Sequence, residues 1–141
     1  MTLLERILRL AAALLGISSL LLILAAANLV FAAWLFFSRH QPFWALFWAG
    51  GAVAFVAYAV VSMLALAKRI PTPVLDGLRP VLLLGAVLLA LAGAAWPIQT
   101  EIRWRQTGDF EAYGVVIGLI MLAQGVAAFV WLQLSRREVA P

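Results

Sequence analysis

The sequence predicts an all-α membrane protein: one domain, residues 1–141, folded as a bundle of four transmembrane helices. Two features of the composition support this class. The chain is 66% hydrophobic and only 11% charged, whereas a soluble domain needs about 25% charged residues to cover its surface. The chain also contains four apolar runs of about 20 residues, which is the length that crosses the hydrocarbon core of a bilayer.

The first two spans follow from long apolar runs with polar ends. Residues 10–37 are apolar after a basic start, and the alanines at 25–27 would also suit a signal-peptide cleavage site. Because the apolar run continues well past these alanines, we predict a retained anchor. A polar turn around His40 follows. Pro42 suits the first turn of the second span, 43–67, where its missing N–H leaves no bond unmade.

The last two spans are separated by the longest polar stretch of the chain interior. Prolines after the second span are predicted to interrupt any helix, and Asp76 is predicted to cap the third span, 78–96. Residues 97–111 form a predicted outer polar loop, in which apolar and charged residues alternate as they do in an extended segment. The fourth span is predicted at 112–134.

The basic residues predict the orientation, because Lys and Arg in short loops remain on the cytoplasmic side. The net charge is +4, and most basic residues fall beside the two termini and the second loop: Arg6, Arg9, Lys68, Arg69, Arg79, Arg136 and Arg137. The others, Arg39, Arg103 and Arg105, fall on the opposite side. We therefore predict a multi-pass protein of a prokaryotic cytoplasmic (inner) membrane with both termini inside. Membrane lipids, not nucleic acid, are the expected contacts of these charges.

The two halves of the chain have a similar pattern. Residues 20–34 and 82–96 share a Leu- and Ala-rich order, and each is followed by a polar turn, a second span and a dibasic stop. Leu and Ala are so common here that such matches arise easily. The sequence leaves open whether the chain contains two parallel helix-hairpin repeats.

Residues that carry chemistry are scarce. The chain has no cysteine and one histidine, which excludes thiol redox chemistry and a bis-histidine haem within it. No ionisable residue lies in the middle of a predicted span, where proton relays would need one. Glu101, Asp109 and Glu111 each have an arginine nearby, so we expect solvated ion pairs rather than an acid–base pair. We expect no enzymatic activity, no cofactor and no metal.

Glycines and amides within the spans predict helix packing. Gly114 and Gly118 form a GxxxG spacing, and Gly125 extends the same stripe, which lets a partner backbone approach closely. Asn28 and Gln124 carry amides that need hydrogen-bond partners across a helix interface. The partner helix could belong to this chain, to a second copy or to a larger membrane protein.

Aromatic residues concentrate at the predicted outer ends of the spans. Four tryptophans and two arginines of this end form a candidate ligand or partner surface: Trp34, Trp44, Trp96, Trp104, Arg103 and Arg105. These residues could anchor the outer helix ends. They could also line a site for an amphipathic molecule, with Arg stacking on Trp or meeting an anionic head group, or they could dock a partner at the outer leaflet.

Two function hypotheses follow from these patterns. The first is a non-catalytic accessory, scaffold or interaction subunit that acts through helix packing. The alternative is a transport or lipid-handling protein that binds an amphipathic ligand at the outer-leaflet aromatic cluster.

Overall fold

The computed structural model describes residues 2–108 and 112–139, without the side chains at 113 and 136–139. This part of the chain forms four helices, which are α1 (Leu3–Ser38), α2 (Pro42–Leu66), α3 (Thr72–Thr107) and α4 (Ala112–Val139). Each is long and apolar enough to cross a membrane. The predicted all-α class is therefore confirmed, and the bundle is compatible with a multi-pass membrane protein.

The helices run antiparallel to their neighbours. Helix α1 packs on α2 and α4, and α3 packs on α4, whereas α2 and α3 make far fewer contacts with each other. Long side chains bridge the gap between α2 and α3. The hydroxyl of Tyr58 on α2 donates to the carbonyl of Leu82 on α3 at 2.8 Å. Gly85 leaves room for this ring, because a Cβ there would lie 2.7 Å from Tyr58 Cε2.

The bundle has two chemically different ends. The basic end comprises the start of α1, the α2–α3 turn and the end of α4. The aromatic end comprises the α1–α2 turn, the end of α3 and the start of α4. Between them, small and branched residues such as Leu22, Ala26 and Ile117 form the core. The outward faces are also apolar, with Leu24 65% and Leu84 61% exposed, as expected for a surface in contact with lipid rather than water.

The loop that the prolines predict before α3 is shorter in the structure than predicted. Helix α3 begins at Thr72, and its N-cap is Pro71 rather than Asp76. Pro73 lies in the first turn, where a backbone N–H has no intrahelical acceptor in any case. The prolines therefore mark the start of a helix here instead of separating a loop from it.

The predicted outer polar loop at 97–111 is also wrong over most of its length, because α3 continues to Thr107. Pro97 has no N–H to donate to the carbonyl of Gly93, yet the helix is not broken there. That carbonyl oxygen faces α4, since a Cβ built on Gly118 would lie 2.9 Å from it. Close packing against a neighbouring helix is what allows proline inside a transmembrane helix.

The polar residues beyond Pro97 stabilise the helix locally. The hydroxyl of Thr100 donates to the carbonyl of Trp96 at 2.9 Å, and Arg105 pairs with Glu101 one turn earlier at 2.8 Å. Gly108 then ends α3 in the left-handed conformation, with φ 77°. The predicted roles of Asp109 and Glu111 concern positions outside the described residues.

Candidate functional site

A polar cluster lies in the middle of the bundle and joins three helices. Gln124 on α4 is completely buried. Its Oε1 accepts from the hydroxyl of Ser18 at 2.5 Å and from that of Ser19 at 3.2 Å. Its amide nitrogen donates to Ser19 Oγ at 3.1 Å and to Ser62 Oγ on α2 at 3.4 Å. The cluster satisfies its own hydrogen bonds, so it joins helices within the chain.

The glycine stripe of α4 faces α3 of the same chain. A Cβ on Gly114 would lie 2.7 Å from Thr100 Oγ1, and one on Gly125 would lie 2.5 Å from the carbonyl of Ala86. Gly118 meets the ring of Pro97 in the same way, at 2.5 Å from its Cδ. The two backbones approach so closely that no side chain fits between them. These three glycines are therefore occupied and are not a free surface for another protein.

Asn28 differs from Gln124, because its side chain is exposed on the outward face of α1. The residues one turn away on that face, Leu24 and Phe31, are 65% and 58% exposed. A carboxamide thus sits in an apolar surface. On α2, a second outward strip consists of small residues, Gly50, Ala54 and Ala57, and a Cβ on Gly50 would meet nothing within 4 Å.

The aromatic end does not gather the predicted ligand-binding residues into one site. Trp34 is 60% exposed and stacks with Phe31, whereas Trp44 contacts phenylalanines of α1 and α2. Trp96 packs on Trp48 with ring centroids 5.6 Å apart. The indole N–H of Trp48 is buried and has no hydrogen-bond partner within the described part of the chain.

Arg103, Trp104 and Arg105 lie on the last two turns of α3, beyond Trp96. At 1.5 Å per residue they stand roughly 10 Å farther along the helix axis. Arg105 is exposed and paired with Glu101, and Trp104 is 50% exposed. The structure therefore places these residues on a projecting helix end rather than around an enclosed space.

The basic end holds a feature that the sequence did not predict, an open cavity of about 1350 Å³ that is lined by residues of all four helices and of the α2–α3 turn. Apolar walls come from residues such as Leu83 and Trp131, and three cations line it, Arg9, Lys68 and Arg79. Among the described residues that line the cavity, Asp76 is the one acidic residue. The cavity thus combines a hydrocarbon-compatible surface with an excess of positive charge. We call it the basic cavity.

Arg79 is the least exposed of these cations, at 8%. One guanidinium nitrogen, Nη1, donates to the backbone carbonyl of Leu132 on α4, and Nη2 lies 3.6 Å from the carboxylate of Asp76. Its Nε is buried without a hydrogen-bond partner among the described residues. A buried guanidinium with an unsatisfied donor is costly, which makes it a candidate for a ligand contact.

Lys68 lines the cavity from a strained turn. It adopts φ 56°, a left-handed conformation that residues other than glycine rarely take. Its N–H donates to Ala65 O and the next N–H, of Arg69, donates to Leu64 O, which is the Schellman pattern that normally has glycine in this position. His40 occupies the corresponding place after α1, with φ 59°.

Sequence reasoning counted Arg79 and Lys68 only as topology signals. It missed the cavity because α3 was predicted to begin at 78, which left Arg79 at the very start of the span and Asp76 outside it. One signal could have corrected this. Thr72 and Pro73 form a good helix start, and a start there places Asp76 and Arg79 one turn apart on the same helix.

No protein family, curated protein or solved structure matched the chain when each was compared with it. Within the described residues, no three His, Asp or Glu side chains come together as metal ligands. Function is therefore inferred from the geometry.

Proposed function

We propose that the chain is a multi-pass protein of a prokaryotic cytoplasmic membrane, with both termini inside, that acts as a non-catalytic accessory or scaffold subunit. In this proposal it packs against a second copy of itself through the outward face of α1. The observation that carries the proposal is the exposed amide of Asn28. The glycine stripe of α4 does not contribute, because α3 already covers it.

An amide that faces hydrocarbon has no water to bond with, so it is stabilised by a partner on another helix. A carboxamide contains both a donor and an acceptor. Two copies of Asn28 facing each other across a two-fold axis therefore satisfy one another, which is the reason for choosing a second copy as the partner. The outward strip of Gly50, Ala54 and Ala57 offers the same kind of close approach on α2.

The test uses the absence of cysteine from the chain. A Leu24→Cys variant places one thiol beside Asn28 on the outward face of α1 and leaves the amide in place. We expect rapid disulfide cross-linking into dimers in the native membrane, and a large loss of cross-linking in Leu24→Cys/Asn28→Leu. Leu88→Cys is the matched control, because Leu88 is 58% exposed on α3.

Native mass spectrometry of the protein released gently from its own membrane completes the test. A homodimer that is lost in Asn28→Leu supports the proposal. A strict monomer with equal cross-linking at positions 24 and 88 overturns it. A stoichiometric second protein in place of the homodimer would keep the subunit role and replace the self-association.

A second candidate function is the binding of an amphipathic ligand at the aromatic end. The buried, unpartnered indole N–H of Trp48 beside Trp96 favours it, because such a donor is stabilised by an acceptor on a ligand. Ligand binding should quench tryptophan fluorescence, and Trp96→Ala should weaken the quenching. A broad panel of lipids and hydrophobic drugs that gives no quenching argues against this function.

A further inference from the structure

We propose that the basic cavity binds the phosphate-bearing head group of an anionic membrane phospholipid, with Arg79 as the central contact and Arg9 and Lys68 at the sides. This site is independent of the self-association proposed above, because the α1 residues that line it, Leu8, Arg9 and Ala12, lie at the start of that helix, several turns before Asn28. It is also distinct from the aromatic end, to which the sequence assigned ligand binding.

The charge and hydrogen bonding of Arg79 indicate an anion. Its Nη1 and Nη2 are directed to Leu132 O and Asp76, but its buried Nε donates to no described residue. Nε and Nη2 form one edge of the guanidinium, and such an edge binds phosphate through two parallel hydrogen bonds. A phosphate bound there would replace the contact of Nη2 with Asp76. Asp76 lies 3.6 Å away and its side chain is 62% exposed, so it neutralises Arg79 only weakly.

The size and walls of the cavity indicate a lipid rather than a free ion. A volume of about 1350 Å³ is far larger than a phosphate ion needs and falls above the range of ordinary small-molecule pockets. Leu8, Leu83 and Trp131 line it beside the cations. Such walls suit the glycerol and upper acyl carbons of a phospholipid, and they contribute nothing to a hydrated ion.

The packing of the helices provides a lateral route for a lipid. Helices α2 and α3 make few mutual contacts, and the Tyr58–Leu82 hydrogen bond joins them farther along the bundle. On the Lys68 side of that bridge, residues of α2 and α3 line the cavity together with residues of α1 and α4. A head group can thus enter from the leaflet while its chains remain in hydrocarbon.

The strained turn at Lys68 fits a functional role. A lysine held at φ 56° costs stability that glycine at the same place would not. Strain of this kind is typical of positions kept for function. Here the strained residue is one of the cations that line the cavity, together with the exposed Arg9.

The test measures phosphatidylglycerol binding to the full-length protein by native mass spectrometry in detergent micelles, with phosphatidylcholine and inorganic phosphate as comparison probes. Arg9→Gln/Lys68→Gln should weaken phosphatidylglycerol binding roughly tenfold or more, because charge-assisted hydrogen bonds are the strong ones. Arg6→Gln is the matched control. Arg6 is exposed on the same helix at the same end but does not line the cavity.

Arg79 is tested with lysine, which keeps the positive charge and removes the guanidinium edge. Arg79→Lys should keep the thermal unfolding temperature close to that of the wild type and weaken phosphatidylglycerol binding. Should Arg79→Lys fail to fold, the Arg9 and Lys68 variants decide the matter, because both side chains are exposed.

Three outcomes overturn the proposal. Equal weakening by Arg6→Gln and Arg9→Gln would show general attraction of anionic lipid to a basic surface. Equal affinity for phosphatidylcholine and phosphatidylglycerol would show that the site does not select charge. Binding of inorganic phosphate that competes fully with the lipid would assign the cavity to a free anion. Selective, cavity-dependent binding that excess phosphate does not displace supports the proposal.

Discussion

Ser18 and Gln124 face each other across the centre of the bundle, and the serine hydroxyl donates to the glutamine Oε1 at 2.5 Å. Both side chains are essentially inaccessible, at 1% and 0% exposure. Through Ser19 and Ser62, the same glutamine joins α1 and α2 to α4. We call this polar cluster the hub. It fixes the register of three helices, because a shift of one helix would leave the amide unbonded.

The hub predicts that Gln124→Leu destabilises the protein by about 1–2 kcal/mol, since the buried hydroxyls of Ser19 and Ser62 lose the amide partner and Ser18 keeps only the carbonyl of Leu15. The measurement is thermal or denaturant unfolding in detergent, followed by circular dichroism. Adding Ser18→Ala, Ser19→Ala and Ser62→Ala to Gln124→Leu should recover part of the loss, because removing both partners avoids unsatisfied groups. A quadruple variant less stable than Gln124→Leu would contradict the hub.

Composition and hydropathy were enough to predict the four helices, because a segment in hydrocarbon has to satisfy its own backbone. The extent of α3 was not predictable in the same way. Taken alone, Pro97 predicts the end of a helix. Only the contact between Gly93 of α3 and Gly118 of α4 shows why the helix continues. Local propensity and tertiary packing disagree at this point, and packing decides the outcome.

The candidate sites also combine features that a local sequence pattern predicts with features that depend on tertiary packing. The pattern of Asn28 and Gln124 identified two amides within spans, but spacing alone could not show that one faces inward and the other outward. The basic cavity depends on how the ends of four helices meet, which no local pattern encodes. Arg79 looked like an ordinary cation at the start of a span, because its burial against Leu132 arises from two distant segments.

The second prediction compares two helical glycines, one packed against a neighbouring helix and one open to the surroundings. Gly125→Ala should cost about 1–3 kcal/mol, because its new methyl group would meet the backbone of Ala86 and Ala90 and force the helices apart. Gly50→Ala should raise the free energy of unfolding by up to about 1 kcal/mol, since it adds helix propensity and meets nothing within 4 Å. Unfolding curves of both variants in the same detergent provide the measurement. Equal effects would show that α3 and α4 are not in close contact.

The third prediction separates backbone strain from ligand binding. Lys68→Gly and His40→Gly should each stabilise the protein by about 1 kcal/mol, because glycine accepts the left-handed conformation at the end of a helix. Only Lys68→Gly should also weaken phosphatidylglycerol binding, since His40 lies at the opposite end of the bundle. Unfolding temperature and lipid affinity are measured on both variants. A stabilised Lys68→Gly with unchanged lipid affinity would remove Lys68 from the binding site.

The fourth prediction tests how α3 and α4 fit together at Pro97. A Cβ on Gly118 would lie 2.5 Å from Pro97 Cδ, so Gly118→Ala should destabilise the bundle by about 1–3 kcal/mol. Pro97→Ala removes the ring and restores an N–H for the carbonyl of Gly93. In the double variant the added methyl group meets a smaller residue, so the two changes should couple favourably by about 1 kcal/mol. A full double-mutant cycle of unfolding free energies measures this coupling, with Pro97→Ala/Gly50→Ala as the control pair. Strict additivity at Pro97 and Gly118 would mean that the two residues do not touch.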